Sequence, residues 1–326
     1  MQLKVVKFGG SSLSDTEHFM RVASIIKADP TRRYVVASAP GKRTDDDQKV
    51  TDMLYTCYNM IKNREDITDY YQKIVERYTG IISGLNLNFD ITGELEYIKS
   101  AMMARSGRDF AASRGEYLNS LILAKYLGFD FIDAENVIFF KDNGSFDEEK
   151  TNEAMKAELK KHKNAVIPGF YGSMPNGTIK TFTRGGSDIT GSIVARASNA
   201  DLYENWTDVS GFLMADPRIV KDPLPISTVT YRELRELSYM GAGVLHEDSI
   251  FPVQKEGITI NIRNTNHPED EGTLIVPNMY TDANEHLITG VAGKKGFSVI
   301  NIEKNRMGGE FGFAARVFKC LDNYAI

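Results

Sequence analysis

Residues 3–12, Leu-Lys-Val-Val-Lys-Phe-Gly-Gly-Ser-Ser, run from an apolar stretch directly into a pair of glycines. The apolar stretch predicts a buried strand that ends at Phe8. Ser14 and Asp15 suit a helix N-terminus, and apolar residues then recur at helical spacing, at Phe19, Val22, Ala23 and Ile26. The N-terminal sequence therefore predicts a strand, a Gly-Gly turn and a helix, in that order.

A turn of this kind can hold a phosphate group. Its free N–H groups and the positive end of the helix dipole both favour an anion. Lys7 adds a mobile positive charge just before the turn. The glycine spacing matches neither the Rossmann fingerprint nor the Walker A loop, and two adjacent glycines are also compatible with an ordinary loop.

Short β-branched segments alternate with helical patterns along most of the chain. The segments at residues 33–37, 129–134, 165–170, 199–205 and 259–263 predict strands, and residues 49–125 predict mainly helices. Such alternation is typical of an α/β fold, a three-layer αβα sandwich around a largely parallel open sheet. Ligands in such sheets bind beyond the carboxyl ends of the strands.

A second glycine turn, Phe182-Thr183-Arg184-Gly185-Gly186-Ser187-Asp188, also suits a small anion. A guanidinium presents a planar fork of donors, and glycines allow a close approach of the backbone. Ser187 and Asp188 predict the N-cap of a helix over residues 189–198. We expect both glycine turns to follow strand ends and to face one cleft. An ordinary turn with a surface arginine would give the same pattern.

Composition narrows the function classes. The 326 residues carry a net charge of -5 and include no long basic block, which argues against a nucleic-acid-binding surface. The two cysteines, Cys57 and Cys320, lie far apart and predict no cysteine metal site, and the five histidines show no paired spacing. With no membrane-length apolar run and no signal peptide, we expect a cytoplasmic protein with no membrane partner.

Five segments, in order along the chain, resemble the motifs of aspartate kinases, members of the amino-acid kinase family. The first two are the glycine turns, which resemble the opening motif and the substrate loop of that family. The others resemble its amino-group motif and its two nucleotide segments: Ser113-Arg114-Gly115-Glu116, Trp206-Thr207-Asp208-Val209 with Ala215-Asp216-Pro217-Arg218, and residues 241–246.

The resemblance implies the amino-acid kinase fold and an activity. ATP would phosphorylate the side-chain carboxylate of L-aspartate to 4-phospho-L-aspartate, the first step of lysine, threonine and methionine biosynthesis. Mg²⁺ would arrive on the nucleotide phosphates, and the protein itself would hold no metal. Because a carboxylate is already deprotonated at neutral pH, this reaction needs no general base.

The resemblance also implies roles for single residues. The catalytic candidates are Lys7, Arg184 and Asp188, with Asp188 orienting Lys7 or the neighbouring backbone. The candidates for aspartate binding are Ser38, Thr44, Glu116, Arg184, Gly185, Gly186 and Ser187, with Arg184 on a carboxylate and Glu116 on the ammonium group. The candidates for ATP binding are Lys7, Gly9, Gly10, Ser11, Thr207, Asp208, Leu213, Arg218 and Gly243. Gly243 replaces a frequent lysine and Leu213 a frequent aromatic residue, so nucleotide binding could differ from that of the family.

The resemblance divides the chain into a catalytic domain, residues 1–285, and an ACT-like regulatory segment, residues 286–326. The catalytic domain would comprise an aspartate-binding lobe, about 1–198, and a nucleotide-binding lobe, about 199–285. Residues 287–292 and 297–304 predict strands, and residues 312–324 predict a helix. We expect this segment to be incomplete and an amino-acid effector and dimerisation to need its missing part. A hairpin and helix that complete the kinase fold are the alternative.

Other functions share parts of this pattern. Another amino-acid kinase could act on N-acetylglutamate, glutamate or UMP, and a non-catalytic amino-acid sensor could use the ACT-like segment. Arg184 and Glu116 argue against the first group, while retention of Lys7 and Asp188 argues against the second. Single residues also have simpler interpretations, such as a solvated helix face at Glu116, a helix cap at Asp188 and an exposed loop charge at Arg218.

Overall fold

The computed structural model describes residues 2–183, 185–239, 245, 247–278, 288–293, 295–296, 298–303 and 311–324. Two of the sequence-predicted site residues, Arg184 and Gly243, lie outside them. The chain forms two compact units, Met1–Gly293 and Lys294–Ile326. The boundaries at residues 198 and 285 stay predictions.

The strands of the first unit are short and rich in β-branched and aromatic residues, which favours extended backbone. They are β1 (Lys4–Phe8), β2 (Arg32–Ala37), β3 (Asp130–Phe131), β4 (Ala165–Pro168), β5 (Tyr171–Ser173), β6 (Ile179–Thr181), β7 (Leu202–Thr207), β8 (Phe212–Leu213), β9 (Pro225–Ile226), β10 (Thr228–Thr230), β11 (Thr259–Asn264) and β12 (Thr273–Val276).

Within the described residues, eight of these strands form one sheet in the order β10-β12-β11-β7-β1-β2-β4-β3. β1 lies near its centre and pairs in parallel with β2 and with β7. β12 runs antiparallel to β11, so β12 and its parallel neighbour β10 run against the rest. The predicted largely parallel open sheet is confirmed.

Helices cover both faces of this sheet. They are α1 (Thr16–Ala28), α2 (Val50–Lys62), α3 (Thr68–Gly84), α4 (Thr92–Met103), α5 (Arg108–Leu127), α6 (Glu148–Leu159), α7 (Gly186–Ala197), α8 (Tyr231–Tyr239) and α9 (Glu247–Lys255). Alternate residues of a strand point to opposite faces. Val5 accordingly joins the core formed with α6 and α7, whereas Val6 joins the core formed with α1 to α5. Two separate apolar cores thus hold the sheet between helical layers.

The second glycine turn differs from its prediction. It follows β6, which pairs with β5 in a two-stranded sheet outside the main one. Helix α7 begins at Gly186, and its N-cap is Gly185, whose φ of 57° lies in the left-handed region that favours glycine. The expected N-cap at Ser187 or Asp188 is therefore wrong, because both residues lie inside the first helical turn.

The second unit contains α10 (Phe313–Asp322), inside the range that its apolar spacing predicts. The strands expected over residues 287–292 and 297–304 are not formed where the structure describes those segments. An apolar pattern predicts a strand only when a neighbour can satisfy its N–H and C=O groups. Among the described residues of this unit none is buried.

Candidate active site

The candidate site lies beyond the carboxyl ends of the central strands. The glycine pair follows β1, Ser38 follows β2, and Thr207 ends β7. Since parallel strands end at one edge of a sheet, these three loops meet there. They line a cleft of about 840 Å³, whose described wall comprises Gly9, Gly10, Ser11, Ser38, Ala39, Pro40, Gly41, Lys42, Arg43, Thr44, Asp45, Lys49, Thr51, Glu116, Thr207 and Asp208.

Two loops cross each other closely at the base of this cleft. The N–H of Gly41 donates to the carbonyl of Gly10 at 2.8 Å. A Cβ atom on Gly10 would lie 2.8 Å from the carbonyl oxygen of Ala39. Gly10 has an ordinary helical φ of -64°, so space, and not backbone conformation, requires a glycine at this position.

The glycine turn offers two N–H groups to a ligand. The N–H of Gly9, which the sequence suggests as a phosphate donor, is bonded to the carbonyl of Trp206 at 3.0 Å. That part of the prediction is corrected, because the bond continues the ladder between β1 and β7. The N–H groups of Gly10 and Ser11 donate to no other residue in the described part of the chain. They remain available to an anion in the cleft.

Lys7 is held at the end of β1 by residues from two other elements. It is only 7% exposed. Its Nζ lies 2.6 Å from Oδ1 of Asp188, in the first turn of α7, and 3.5 Å from Oδ1 of Asn205 in β7. The Nδ2 of Asn205 in turn donates to the same Asp188 oxygen at 2.9 Å. The charge of Lys7 is thus fixed in position.

The sequence analysis did not identify Asn205 as a site residue. The sequence does contain one indication of its role: it is a polar residue within the buried part of β7, where a side chain without a partner would be costly.

Glu116 presents a buried carboxyl group to the same cleft. It lies on α5, which approaches the loop after β2 so closely that Asn119 Nδ2 donates to the carbonyl of Ser38 at 2.7 Å. Glu116 is 6% exposed, and its Oε2 has no hydrogen-bond partner among the described residues. Burial raises its pKa from 4.5 to about 8, and hydrogen bonding to the backbone of Ala39 offsets this only in part. An ammonium ion from a ligand would satisfy this group.

The remaining substrate candidates divide into two groups. Ser38 and the exposed Thr44 line the cleft. Gly185, Gly186 and Ser187 are not among its lining residues. A Cβ on Gly186 would lie 2.5 Å from Cδ2 of Phe170, so this turn packs against the connection between β4 and β5. It brings Asp188 to Lys7.

Some of the candidates for ATP binding line the cleft and others do not. Thr207 and the exposed Asp208 line the cleft, but Leu213 and Arg218 are not among its lining residues. The Arg218 guanidinium is largely exposed and pairs with Asp216 at 2.6 Å. Three cations that line the cleft, Lys42, Arg43 and Lys49, were missed by sequence reasoning. They sit in an irregular loop whose fold no periodic pattern predicts.

The described residues include neither a cluster of metal-ligating side chains nor a helix able to cross a membrane. These residues contain no group of three or more histidine, cysteine, aspartate or glutamate side chains that could hold a metal ion. Among their helices, none combines the length and the apolar character needed to cross a membrane.

Known proteins share this architecture. Residues 2–264 match the model of the amino acid kinase family. Aspartokinase 3 of Bacillus subtilis is 36% identical over 99% of this chain and 74% of its own length. The solved aspartate kinase of Clostridium acetobutylicum is 54% identical, with a TM-score of 0.91 over 99% of this chain and 74% of that one.

A third match is the structure of E. coli aspartokinase III in complex with aspartate and ADP. It is 25% identical, with a TM-score of 0.74 over 86% of this chain and 66% of that one. The chain thus spans about three quarters of the length of the Bacillus relative. It belongs to the amino acid kinase family, within which its relatives are aspartokinases.

Proposed function

We propose that this chain transfers the γ-phosphoryl group of ATP to the side-chain carboxylate of L-aspartate, giving 4-phospho-L-aspartate. One observation carries the proposal: Glu116, whose buried Oε2 has no partner among the described residues, lines the same cleft as Gly10 and Ser11, whose N–H groups are free for a ligand. The first suits the ammonium group of an amino acid, and the second suit a phosphate.

The phosphate side of the site uses fixed positive charge. Lys7, oriented by Asp188 at 2.6 Å, would neutralise the phosphoryl group as it leaves ADP. The Gly10 and Ser11 N–H groups would donate to its oxygens. Preorganised donors of this kind stabilise developing charge without reorganisation during the reaction.

The aspartate side uses charges of both signs. Glu116 would pair with the substrate ammonium, and Arg184 would hold a substrate carboxylate, as the motif resemblance implies. Ser38 and Thr44 would donate hydroxyl hydrogen bonds from the cleft wall. We assign Gly185, Gly186 and Ser187 to the turn that carries Arg184 and Asp188.

ATP would extend from the glycine turn towards Thr207 and Asp208. Leu213, Arg218 and Gly243 are further nucleotide candidates from the motif resemblance. Asp208 is a hard oxygen donor on the cleft wall, which suits a Mg²⁺ ion held mainly by the phosphates. When bound, this ion neutralises phosphate charge.

In this reaction the main tasks of the protein are to position the two reactants and to screen their charges. The attacking carboxylate is already ionised at neutral pH, so no base is needed. Two anions must be brought together against their repulsion, and Lys7 with the N–H groups of Gly10 and Ser11 screens it. Holding both reactants in line supplies most of the remaining acceleration.

The test is ADP release from MgATP with L-aspartate, compared with glutamate, N-acetylglutamate and UMP. Hydroxylamine traps acyl phosphates as hydroxamates, so it separates acyl transfer from ATP hydrolysis. We expect aspartate-dependent ADP release matched by hydroxamate. Turnover with another acceptor and none with aspartate would contradict the proposal.

The product would enter lysine, threonine and methionine biosynthesis in the cytoplasm. Residues 286–326 would form part of an ACT-like segment that binds an amino-acid effector and forms homo-oligomers when complete. The motif resemblance supports these assignments.

A further inference from the structure

The loop between β2 and α2 has little structure of its own. Residues 40–49 contain no helix or strand, and most of their side chains are exposed. Its described backbone contacts include Gly41 N to the carbonyl of Gly10 at 2.8 Å and Val50 N to that of Pro40 at 3.1 Å. Yet Gly41 to Asp45 form much of the cleft wall. A loop of this kind needs an external support to keep one conformation.

Arg77 of α3 supplies such a support from behind the cleft. Its NH1 donates to the carbonyls of Gly41 at 3.1 Å and Ser14 at 3.3 Å. Its NH2 donates to Oδ2 of Asp47 at 2.6 Å and to the carbonyl of Gln48 at 3.4 Å. One guanidinium therefore joins both ends of the loop to the segment that follows the glycine turn.

The cost of this arrangement indicates that its geometry matters. Arg77 lies on the apolar face of α3 with Ile74, Tyr78 and Ile81, and its side chain is 4% exposed. Burial lowers its pKa, which reflects the penalty of removing a cation from water. An apolar residue would pack at this helix position without that penalty, but it would leave the loop carbonyls without a donor.

Asp47 extends the contact to the cleft itself. It accepts from the backbone N–H and the Nε of Arg43, each at 2.9 Å. These bonds, chiefly the side-chain one, together with the charge of Arg77, hold its pKa well below the usual range. Arg43 lines the cleft, so the position of a cleft cation depends on Arg77 through one shared carboxylate.

We propose that Arg77 is a positioning residue for the aspartate-binding wall, a clamp that fixes the loop Gly41–Gln48 relative to the glycine turn. The proposal rests on the proposed function, because the loop carries Thr44 and follows Ser38. Arginine is required over lysine, since a single ammonium group cannot reach carbonyls on both sides and Asp47 together.

The experiment compares Arg77→Lys, Arg77→Met and Asp47→Asn with the wild-type chain. Arg32→Lys is the matched control, because Arg32 is also buried and pairs with a carboxylate, Glu204 at 2.8 Å, but at the opposite end of β2. Two quantities are measured. Hydrogen exchange of peptides covering residues 41–49 reports loop order without any substrate, and steady-state kinetics give kcat and the KM for each substrate.

We expect Arg77→Lys to speed exchange across this loop and to raise the aspartate KM about tenfold, within the 10²-fold that a misplacement of about 1 Å can cost. Arg77→Met should increase both loop exchange and the aspartate KM further. Asp47→Asn should have a smaller effect on both, because the contacts of Arg77 with the loop carbonyls survive in that variant. The ATP KM should change less than the aspartate KM. Arg32→Lys should leave both exchange in the loop and the aspartate KM at wild-type values.

Three outcomes would overturn the proposal. Unchanged loop exchange in both Arg77 variants would show that no clamp exists. Faster exchange with an unchanged aspartate KM would show a clamp that positions nothing for the substrate. If Arg32→Lys changed loop exchange and the aspartate KM as much as the Arg77 variants do, Arg77 would contribute only to the general stability of the fold. If the wild-type chain shows no aspartate turnover, the proposed function fails, whereas the exchange comparison still decides whether the clamp exists.

Discussion

The carboxyl group of Glu116 links ligand charge to proton binding. In the free protein its pKa of about 8 keeps it largely protonated at pH 7. The ammonium group of a bound amino acid would favour the ionised form, because an opposite charge nearby lowers the pKa of an acid. Binding of aspartate should therefore expel a proton.

We predict that aspartate binding near pH 7 releases close to one proton per site, and that Glu116→Gln abolishes this release. Calorimetric titrations in buffers with different ionisation enthalpies measure the number directly. Binding should also strengthen as the pH rises towards about 8, since the ionised form of Glu116 becomes available without ligand. A proton count near zero in the wild-type protein would contradict an ammonium contact at Glu116.

Glu116 also makes the stability of the fold depend on pH. Stability should fall as the pH rises, whereas aspartate binding should strengthen. Glu116 has a raised pKa in the folded chain, about 8 against an ordinary 4.5, so between these values the folded state binds the extra proton. Its contribution to the free energy of unfolding is complete below pH 4.5 and declines as the pH rises to about 8. We predict that Glu116→Gln reduces the loss of stability over this interval, with a limiting slope of about 1.4 kcal/mol per pH unit. Denaturant unfolding at several pH values checks it.

Lys7 is the cation that the proposed mechanism depends on most among the described residues. We predict that Lys7→Met lowers kcat by about 10² to 10³, the usual loss for one preorganised donor, with a smaller change in the aspartate KM. Lys62→Met, at the exposed end of α2, is the control and should leave both constants unchanged. A kcat near the wild-type value in Lys7→Met would remove Lys7 from the phosphoryl-transfer step.

Residue-level prediction from the sequence succeeds where the signal is local. Lys7 stands beside its glycines. Its contact with Asp188, which the structure contains, is one of the two alternatives that the motif resemblance left open for Asp188. Asn205 joins the same group across 198 positions, and no short motif encodes that contact. Arg77 leaves a weak signal, a cation on the otherwise apolar face of α3. Its partners become clear only when the loop is in place.

At the scale of elements, the glycine turn after β1 depends on close backbone contact. We predict that Gly10→Ala destabilises the fold and lowers activity, because its Cβ would lie 2.8 Å from the carbonyl oxygen of Ala39, a backbone atom that cannot rotate away. One kcal/mol of destabilisation should lower Tm by about 2 to 4 °C in a domain of this size class.

Gly80→Ala is the matched control for this prediction. Gly80 lies in α3, and an added Cβ there would meet nothing within 4 Å. In a helix interior alanine is preferred over glycine by about 0.5–1 kcal/mol, so the control should raise Tm slightly. Thermal unfolding of both variants decides the matter, and equal shifts would contradict the close-contact argument.

The elements with a strong local signal were predicted correctly, whereas a helix start and two strands that depend on distant partners were not. β1 and α1 follow from an apolar run and from Asp15, whose side chain accepts from the N–H of His18 as an N-cap. The start of α7 was misplaced because Asp188 satisfies Lys7 and not a helix terminus. The strands expected at residues 287–304 failed in their described parts, since periodicity cannot supply a pairing neighbour.

At the scale of the whole molecule, one sheet brings the proposed amino-acid contact, Glu116, and the proposed phosphate contact, Lys7, to the same edge. Helix α5 packs in one core and brings Glu116 to the cleft, while α7 packs in the other core and brings Asp188 to Lys7. The two cores thus each contribute an acidic side chain: Glu116 lines the cleft, and Asp188 pairs with Lys7 at the end of β1. A loss of packing in either should disturb catalysis before the sheet itself unfolds.

We predict that the activity of the 326-residue chain is insensitive to lysine and threonine at millimolar concentrations. An effector acts only through different affinities for two states, so it needs a formed pocket and an element that moves. The described residues of Lys294–Ile326 form one helix, α10, with none of its residues buried, and Phe311 is 99% exposed. An amino acid has no enclosed site among them.

Activity titrations with each amino acid, run beside a thermal-shift scan, test this prediction. The expected result is an unchanged rate and an unchanged Tm with either amino acid, while aspartate with ADP raises Tm as a positive control, because a ligand that binds only the folded state stabilises it. Cooperative inhibition with a matching rise in Tm would show that an effector pocket forms in this chain.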